Sequence, residues 1–238
     1  MKTKVRSIHQ IVEEQVQRWQ ILKAEKKIEK ETVTVITLSR EPGSGGRIIA
    51  RVLAKNLKYD LFDQEILHAM AENAKVSTRI LQSLDERGLS MLDDWISSFV
   101  NERHLWPDQY LRHLMKVIGT IGRHGHAIIL GRGANFILPS GKIFRIRIFA
   151  PFKTRVQNVS RTFAVPIDEA RRRIIKTDSD RRAFVRKYFN ADVSDPDCYD
   201  LTINTEHLSI DASVDAILGA FGKFQQKNWI EPQRTGSL

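Results

Sequence analysis

The 238-residue chain has a single cysteine, Cys198. An internal disulfide framework and a cysteine-built zinc cluster are therefore both excluded, and a reducing cytoplasm fits. Long apolar runs are also missing. The longest purely aliphatic stretches, such as Ala127-Ile128-Ile129-Leu130, are four residues, far short of the ~20 that a membrane-spanning helix needs. No apolar segment backs the charges of Met1-Lys2-Thr3-Lys4-Val5-Arg6, so the expectation is a chain with no signal peptide and no membrane partner. Repeats and low-complexity tracts are absent. With 42% apolar and 28% charged residues, the composition is that of a folded globular protein.

What the chain has in excess is positive charge: 38 Lys and Arg against 28 Asp and Glu, a net +10. A basic balance raises nucleic acid, membrane surfaces and small polyanions as partners. Its distribution chooses among them. Residues 142–190 hold 14 basic and 4 acidic side chains, whereas residues 191–238 hold 3 and 8. One segment carries a net charge equal to that of the whole molecule, which describes a localised anion site and not a diffuse basic coat.

Periodicity sets out the elements. Ile8, Val12, Val16, Trp19 and Leu22 form one helical stripe within residues 8–29, an amphipathic helix that must dock on the body of the protein or on a second subunit as a homodimer. Lys26 to Glu31 reads as a charged linker, closing a first segment at residue 31. The β-branched run Val33 to Leu38 stops at Ser39 and is followed by Gly43-Ser44-Gly45-Gly46 and a helix over Ile48 to Leu57, with Ile49, Val52, Leu53 and Leu57 inward. Strand, glycine-rich turn and helix open an α/β domain with a parallel sheet. Further strands are expected at Tyr59–Phe62, His126–Leu130, Ile143–Phe149 and Tyr199–Ile203, giving five in a doubly wound arrangement. Residues 64–123 are too long for a simple crossover and read as a helical insertion. Its segments are Glu65–Glu72, Ser77–Glu86 (ending where Arg87-Gly88 breaks the pattern), Ser90–Val100 and Asp108–Gly122. The tail after Asn228, part of a segment 223–238, is expected to be loose.

A glycine-rich turn between strand and helix can cradle phosphate, because its backbone N–H groups converge and the helix N-terminus adds a positive dipole. Here the turn is Arg40-Glu41-Pro42-Gly43-Ser44-Gly45-Gly46-Arg47. Set against the template G-x-x-x-x-G-K-[ST], one register puts Gly46 at the lysine and Arg47 at the hydroxyl. The next puts Arg47 at the lysine and Ile48 at the hydroxyl. Arg40 or Arg47 is then the candidate for the lysine's charge, and Ser39 or Ser44 for the magnesium-binding hydroxyl.

Ser39-Arg40-Glu41-x-Gly43-Ser44-Gly45-Gly46-Arg47-x-Ile49-Ala50, followed by Tyr59-Asp60-Leu61-Phe62-Asp63, resembles the cytidylate kinase-like family of P-loop nucleoside monophosphate kinases. Ile128-Ile129-Leu130-Gly131-Arg132-Gly133 and Tyr199-Asp200-Leu201-Thr202-Ile203-Asn204 continue the likeness in the same order, over about residues 32–222. The resemblance implies a three-layer P-loop fold with a five-stranded parallel sheet, a helical acceptor-binding insertion and an arginine-rich lid over about residues 165–190. It implies transfer of the ATP γ-phosphoryl group to CMP or dCMP with Mg²⁺. It assigns Gly43, Ser44, Gly45, Gly46 and Arg47 to the ATP phosphates, and Asp63 and Arg132 to the acceptor. Asp63 is equally suited to cap the helix that follows it. Arg132 suits phosphate through its planar, bidentate fork. In the basic block Arg171 to Lys187, Arg181 and Arg182 are candidates to stabilise the transferring phosphoryl group, alongside Arg40 and Arg47. Gly133 stands where the family carries an aspartate.

Two rivals accompany the kinase reading. One is a nucleotide-binding protein on the same fold with weakened or lost transfer, which the altered lysine and hydroxyl positions favour. The other is a nucleic-acid-binding regulator, which net charge alone suggests and no recognition motif supports. The expected partners are therefore small nucleotides and no specific nucleic acid.

Overall fold

A computed structural model describes residues 7–25, 35–102, 105, 107–139 and 143–227. The linker at Lys26–Glu31, the first residues of the Val33 run and the tail from Asn228 onward lie outside the described residues, as does the side chain of Leu22.

Five parallel strands form one sheet: β1 (Val35–Arg40), β2 (Asp60–Phe62), β3 (Ala127–Leu130), β4 (Ile143–Phe149) and β5 (Leu201–Asn204), in the spatial order β2-β3-β1-β4-β5. The chain reverses its direction of travel across the sheet at β1, and a crevice opens at the carboxyl ends of β1, β3 and β4. Ser39 stands opposite Arg147 and Arg40 opposite Ile148. This pairing carries β1 two residues past the point where its apolar run stops.

Alternation along β1 and β4 sends their side chains to two different cores. On one face Ile36, Leu38, Phe144, Ile146 and Ile148 pack against α2 (Gly46–Leu57) and α10 (Ile210–Lys227) through Ile49, Leu53, Val214, Ile217 and Phe221. On the other face Val35, Ile129 and Ile143 pack beneath the helical insertion. The insertion consists of α3 (Gln64–Glu72), α4 (Ala74–Leu81), α5 (Glu86–Glu102) and α6 (Gln109–His124). Helix α6 buries Leu111, Leu114, Met115, Ile118 and Ile121 along one stripe, and Asp108 caps it by accepting from Leu111 N at 2.8 Å. The Arg87-Gly88 break is corrected: α4 ends at Leu81, and Arg87 and Gly88 lie in the first turn of α5. There Asp85 Oδ1 accepts from Gly88 N at 2.8 Å, so a cap overrides the glycine's poor helix propensity.

After the short α7 (Ala134–Ile137) and β4, helices α8 (Phe152–Phe163) and α9 (Ile167–Phe189) form an antiparallel hairpin. It is held by its own small cluster of Val156, Val159, Ala170 and Ile174. The basic block thus lies within one 23-residue helix. The last strand starts at Leu201 and not at Tyr199, because Pro196–Cys198 makes a 3₁₀ turn and the Tyr199 hydroxyl donates to Val193 O at 2.7 Å. Among the described residues no helix is long and apolar enough to cross a membrane.

Helix α1 (Ile8–Glu25) docks on the chain's own body: Val12, Val16 and Trp19 are buried in the core beneath the insertion. Trp19 stacks on His124 with ring centroids 4.0 Å apart and tilts against Phe62. At its edge Gln15 donates to Asp60 at 2.7 Å, Arg18 pairs with Asp60, and Arg79 reaches Glu13 at 2.7 Å. The apolar burial is the larger contribution, since exposed ion pairs are worth at most about 1 kcal/mol. Trp19→Ala is expected to lower unfolding free energy by about 3–5 kcal/mol in urea denaturation, as for other large buried aromatics. Arg79→Ala is expected to lower it by under about 1 kcal/mol.

Candidate active site

The crevice above β1, β3 and β4 is a cavity of about 410 Å³. Its walls bring together Arg40 from β1, Arg132 after β3, Arg147 from β4, Arg155 from α8 and Arg181 and Arg182 from α9. Glu41, Asp178 and Asp180 are the acids that line it. Six arginines therefore arrive from five places in the chain and outnumber the acids around them.

The counter-charge is unevenly shared. Glu41 takes two cations, Arg147 at 3.2 Å and Arg155 at 3.1 Å, and also accepts from Ala150 N at 3.4 Å. Arg155 has a second partner in Asp178, at 2.8 Å. The other half of the cavity has no such pairing. Arg40 donates to the neutral Gln64 at 3.0 Å, and Arg181 Nη1 donates to the Arg40 carbonyl at 2.7 Å. Burial, then the charges of Arg181 and Arg47, push the Arg40 pKa down to about 9. Burial likewise lowers Arg181. A guanidinium stays protonated at neutral pH, so both charges are held in the cavity at a cost in desolvation. Three buried polar groups facing this region, Arg132 Nε, Arg181 Nε and Asn135 Nδ2, have no hydrogen-bond partner. A buried donor left unmade is costly.

Arg132 is held there by an unusual backbone. Gly131, Arg132 and Gly133 have φ of 84°, 54° and 68°, so a non-glycine residue sits in the left-handed region between two glycines. The guanidinium lies over the Phe184 ring at 5.4 Å from its centroid. Gly133 must itself be glycine, since any side chain there would overlap the ring of Phe189, which is fully buried.

A second cavity of about 400 Å³ adjoins the first, and Arg132 and Phe184 line both. Its remaining walls come mainly from the insertion and include His68, Glu72, Tyr110, His113 and Tyr188. His68 Nε2 lies 3.3 Å from Glu72 and His68 Nδ1 lies 3.3 Å from the Tyr110 hydroxyl. The carboxylate can only accept, so in the neutral ring Nε2 carries the proton and Nδ1 accepts from Tyr110. His113 Nδ1 lies 3.1 Å from the Ala71 carbonyl, which leaves Nε2 of a neutral His113 as an acceptor. The cavity wall thus offers Tyr110 oxygen, His113 Nε2 and the Glu72 carboxylate as acceptors. Burial raises the Tyr110 pKa, so its hydroxyl keeps its proton.

Of the residues expected from the sequence, Arg40, Arg132, Arg181 and Arg182 line the first cavity together with Ser39. Arg47 does not line it; its guanidinium reaches Glu65 at 2.6 Å. Asp63 lines neither cavity and caps α3, accepting from Glu65 N and Ile66 N at 3.1 Å. The turn residues Gly43 to Gly46 flank the crevice at the start of α2 without lining the cavity. Arg171, Arg172 and Arg173 are exposed. Sequence reasoning passed over Arg147, Arg155, Gln64, Asn135, Tyr110 and His68. A signal for Arg147 existed: Arg145 and Arg147 alternate with Phe144, Ile146 and Ile148, which places both arginines on one face of a central strand.

The donor set does not fit a magnesium ion held by the protein. The Ser44 hydroxyl is buried and donates to Glu41 O at 2.8 Å, and Ser39 Oγ accepts from Arg147 at 3.4 Å. Glu41 and Asp178 are claimed by arginines, Asp180 alone remains of the acids that line the cavity, and among the described residues no group of three or more His, Cys, Asp or Glu could hold a metal.

The cytidylate kinase of Natronomonas pharaonis is 27% identical over 192 residues, covering 79% of this chain and 90% of that protein. The cytidylate kinase of Methanopyrus kandleri is 27% identical over 197 residues, covering 78% and 92%. Among solved structures, a protein of Eubacterium ventriosum superposes with a TM-score of 0.64 at 21% identity, covering 80% of this chain and 99% of that one, and shares the fold. Residues 35–207, which include every strand, the insertion and the α8–α9 hairpin, match the cytidylate kinase-like family. The chain belongs to the cytidylate kinase-like family.

Proposed function

We propose that the protein is a nucleoside monophosphate kinase that transfers the γ-phosphoryl group of ATP to CMP or dCMP. The observation that carries this reading is the set of half-buried, under-paired guanidiniums of Arg40, Arg132 and Arg181 beside a second, aromatic cavity of nucleoside size. The acceptor's phosphate sits on Arg132 at the junction, and its base enters the second cavity. An oxygen of that phosphate attacks the γ-phosphorus while the bond from γ-phosphorus to the ADP oxygen breaks. The products are ADP and the nucleoside diphosphate. Arg40 and Arg181 stabilise the negative charge on the transferring group, in a site where burial strengthens their field.

The acceptor-lined wall of the second cavity supports the choice of base. Tyr110 oxygen, His113 Nε2 and Glu72 suit the exocyclic amino group of cytosine and not the carbonyl that uracil carries in its place. A second reading has its own support. The turn has no lysine and the Ser44 hydroxyl is committed to backbone carbonyls, which favours a nucleotide-binding protein with weak or lost transfer.

A coupled assay with ATP and magnesium against CMP, dCMP, UMP and AMP separates the two. Turnover with CMP or dCMP is expected; background rates with every acceptor, while ATP still binds, would establish the second reading. Arg132→Ala is expected to lower kcat/KM for the acceptor by about 10- to 100-fold, the worth of hydrogen bonds to a charged group. Glu72→Gln is expected to narrow the preference for CMP over UMP by about 10-fold in competition assays. Hydrogen exchange with ATP plus CMP is expected to protect residues 171–187; an unchanged segment would remove α9 from the nucleotide site.

A further inference from the structure

The glycine turn is braced from two sides by residues outside both cavities. Gly43 lies so close to α8 that a Cβ there would stand 2.6 Å from the Arg155 carbonyl oxygen, and its φ of 81° also calls for glycine. One helical turn beyond Arg155, Asn158 donates from Nδ2 to the Gly43 carbonyl at 2.9 Å. From the opposite side Thr205, just past β5, presents Oγ1 to the Ser44 carbonyl at 2.9 Å, with Phe149 O at 3.2 Å. Two consecutive carbonyls of the turn are thus taken up by side chains from different elements.

This has a consequence for the amides. In a trans peptide the C=O and the following N–H point in opposite directions. Fixing the Gly43 carbonyl on Asn158 turns the Ser44 amide inward, where it meets Glu41 O at 3.3 Å. Fixing the Ser44 carbonyl on Thr205 turns the Gly45 amide to the far side of its peptide. Gly45 precedes Gly46 and Arg47, the first residues of α2, whose amides have no acceptor within the helix. Three successive N–H groups then gather at the positive end of the helix.

We infer that Asn158 and Thr205 are positioning residues for the donor phosphates: by holding the carbonyls of Gly43 and Ser44 they aim the turn's amides. This rests on the phosphoryl-transfer reading above. Neither residue lines either cavity, so each acts through the backbone of the turn. Loss of either is felt by ATP and not by the acceptor.

The test is calorimetric titration of ATP and, separately, of CMP into the full-length wild type, Asn158→Ala and Thr205→Val, with steady-state KM values and thermal midpoints beside them. The expected result is an ATP Kd about 10-fold weaker in each variant, the worth of one well-made hydrogen bond, with KM for ATP raised in parallel. CMP affinity, KM for CMP and the thermal midpoint stay near wild type. Unchanged ATP affinity in folded variants would overturn the inference. So would an equal loss of ATP and CMP binding accompanied by a fall in the midpoint, or failure of both variants to fold, since each marks a purely structural role. A wild type that binds no ATP would overturn the phosphoryl-transfer reading itself, and the inference with it.

Discussion

Arginine side chains gathered in one cavity, buried or half-buried, with too few carboxylates are the constraint on which this structure turns. Taking a charge out of water is expensive, and several like charges in one cavity cost more than the same charges apart. Glu41 and Asp178 neutralise the half of the cavity nearest α8, around Arg147 and Arg155. Arg40, Arg132 and Arg181 are left with neutral partners or none. The rest of the molecule can be understood as the scaffold that makes this arrangement tolerable. Two hydrophobic cores clamp the sheet from both faces, and α1 closes the far side of the insertion with Trp19. Their combined burial offsets the local cost of gathering these charges.

Strand order does the assembling. Because β3 and β4 flank β1, the residues that leave the sheet at Arg40, Arg132 and Arg147 emerge side by side although they are far apart in the chain. The carboxyl edge of a parallel sheet is where backbone direction changes most sharply, and here that change includes the strained Arg132 between two glycines. Strain of this kind persists only where surrounding packing enforces it. Phe189, stacked on Phe136 and pressed against Gly133, supplies that packing.

The architecture was largely legible in the sequence, since hydrophobic period and glycine punctuation report directly on strands and helices. Ile143–Phe149 was bounded correctly because its apolar alternation coincides with its pairing. Tyr199 was misplaced because its aromatic, strand-like character serves packing and a hydroxyl contact instead. The site was legible less evenly. Arg132 could be singled out from a short motif and Arg181 from the basic block, whereas Arg147 and Arg155 were hidden within a charge count. Counting cannot tell that Arg171 to Arg173 face solvent while Arg155, some 16 residues earlier, is nearly inaccessible at 7% exposure. Side-chain direction depends on register and helix phase, and those are fixed by contacts distant in sequence. The aromatic and histidine wall of the second cavity was invisible for the same reason: Tyr110 and His68 meet only because α3 and α6 cross.

Arg155 is shared between an acid of the glycine turn and an acid of α9, and sharing one cation between two parts of a protein ties their movements. If α9 swings outward, Asp178 leaves and Arg155 must lean on Glu41 alone, drawing on the same carboxylate that serves Arg147. Three arginine–carboxylate contacts would become two, with one acid left facing solvent. Opening this face of the molecule therefore redistributes charge at the mouth of the cavity before any ligand arrives. The hairpin and the turn are two arms of one electrostatic balance, with Arg155 as its pivot.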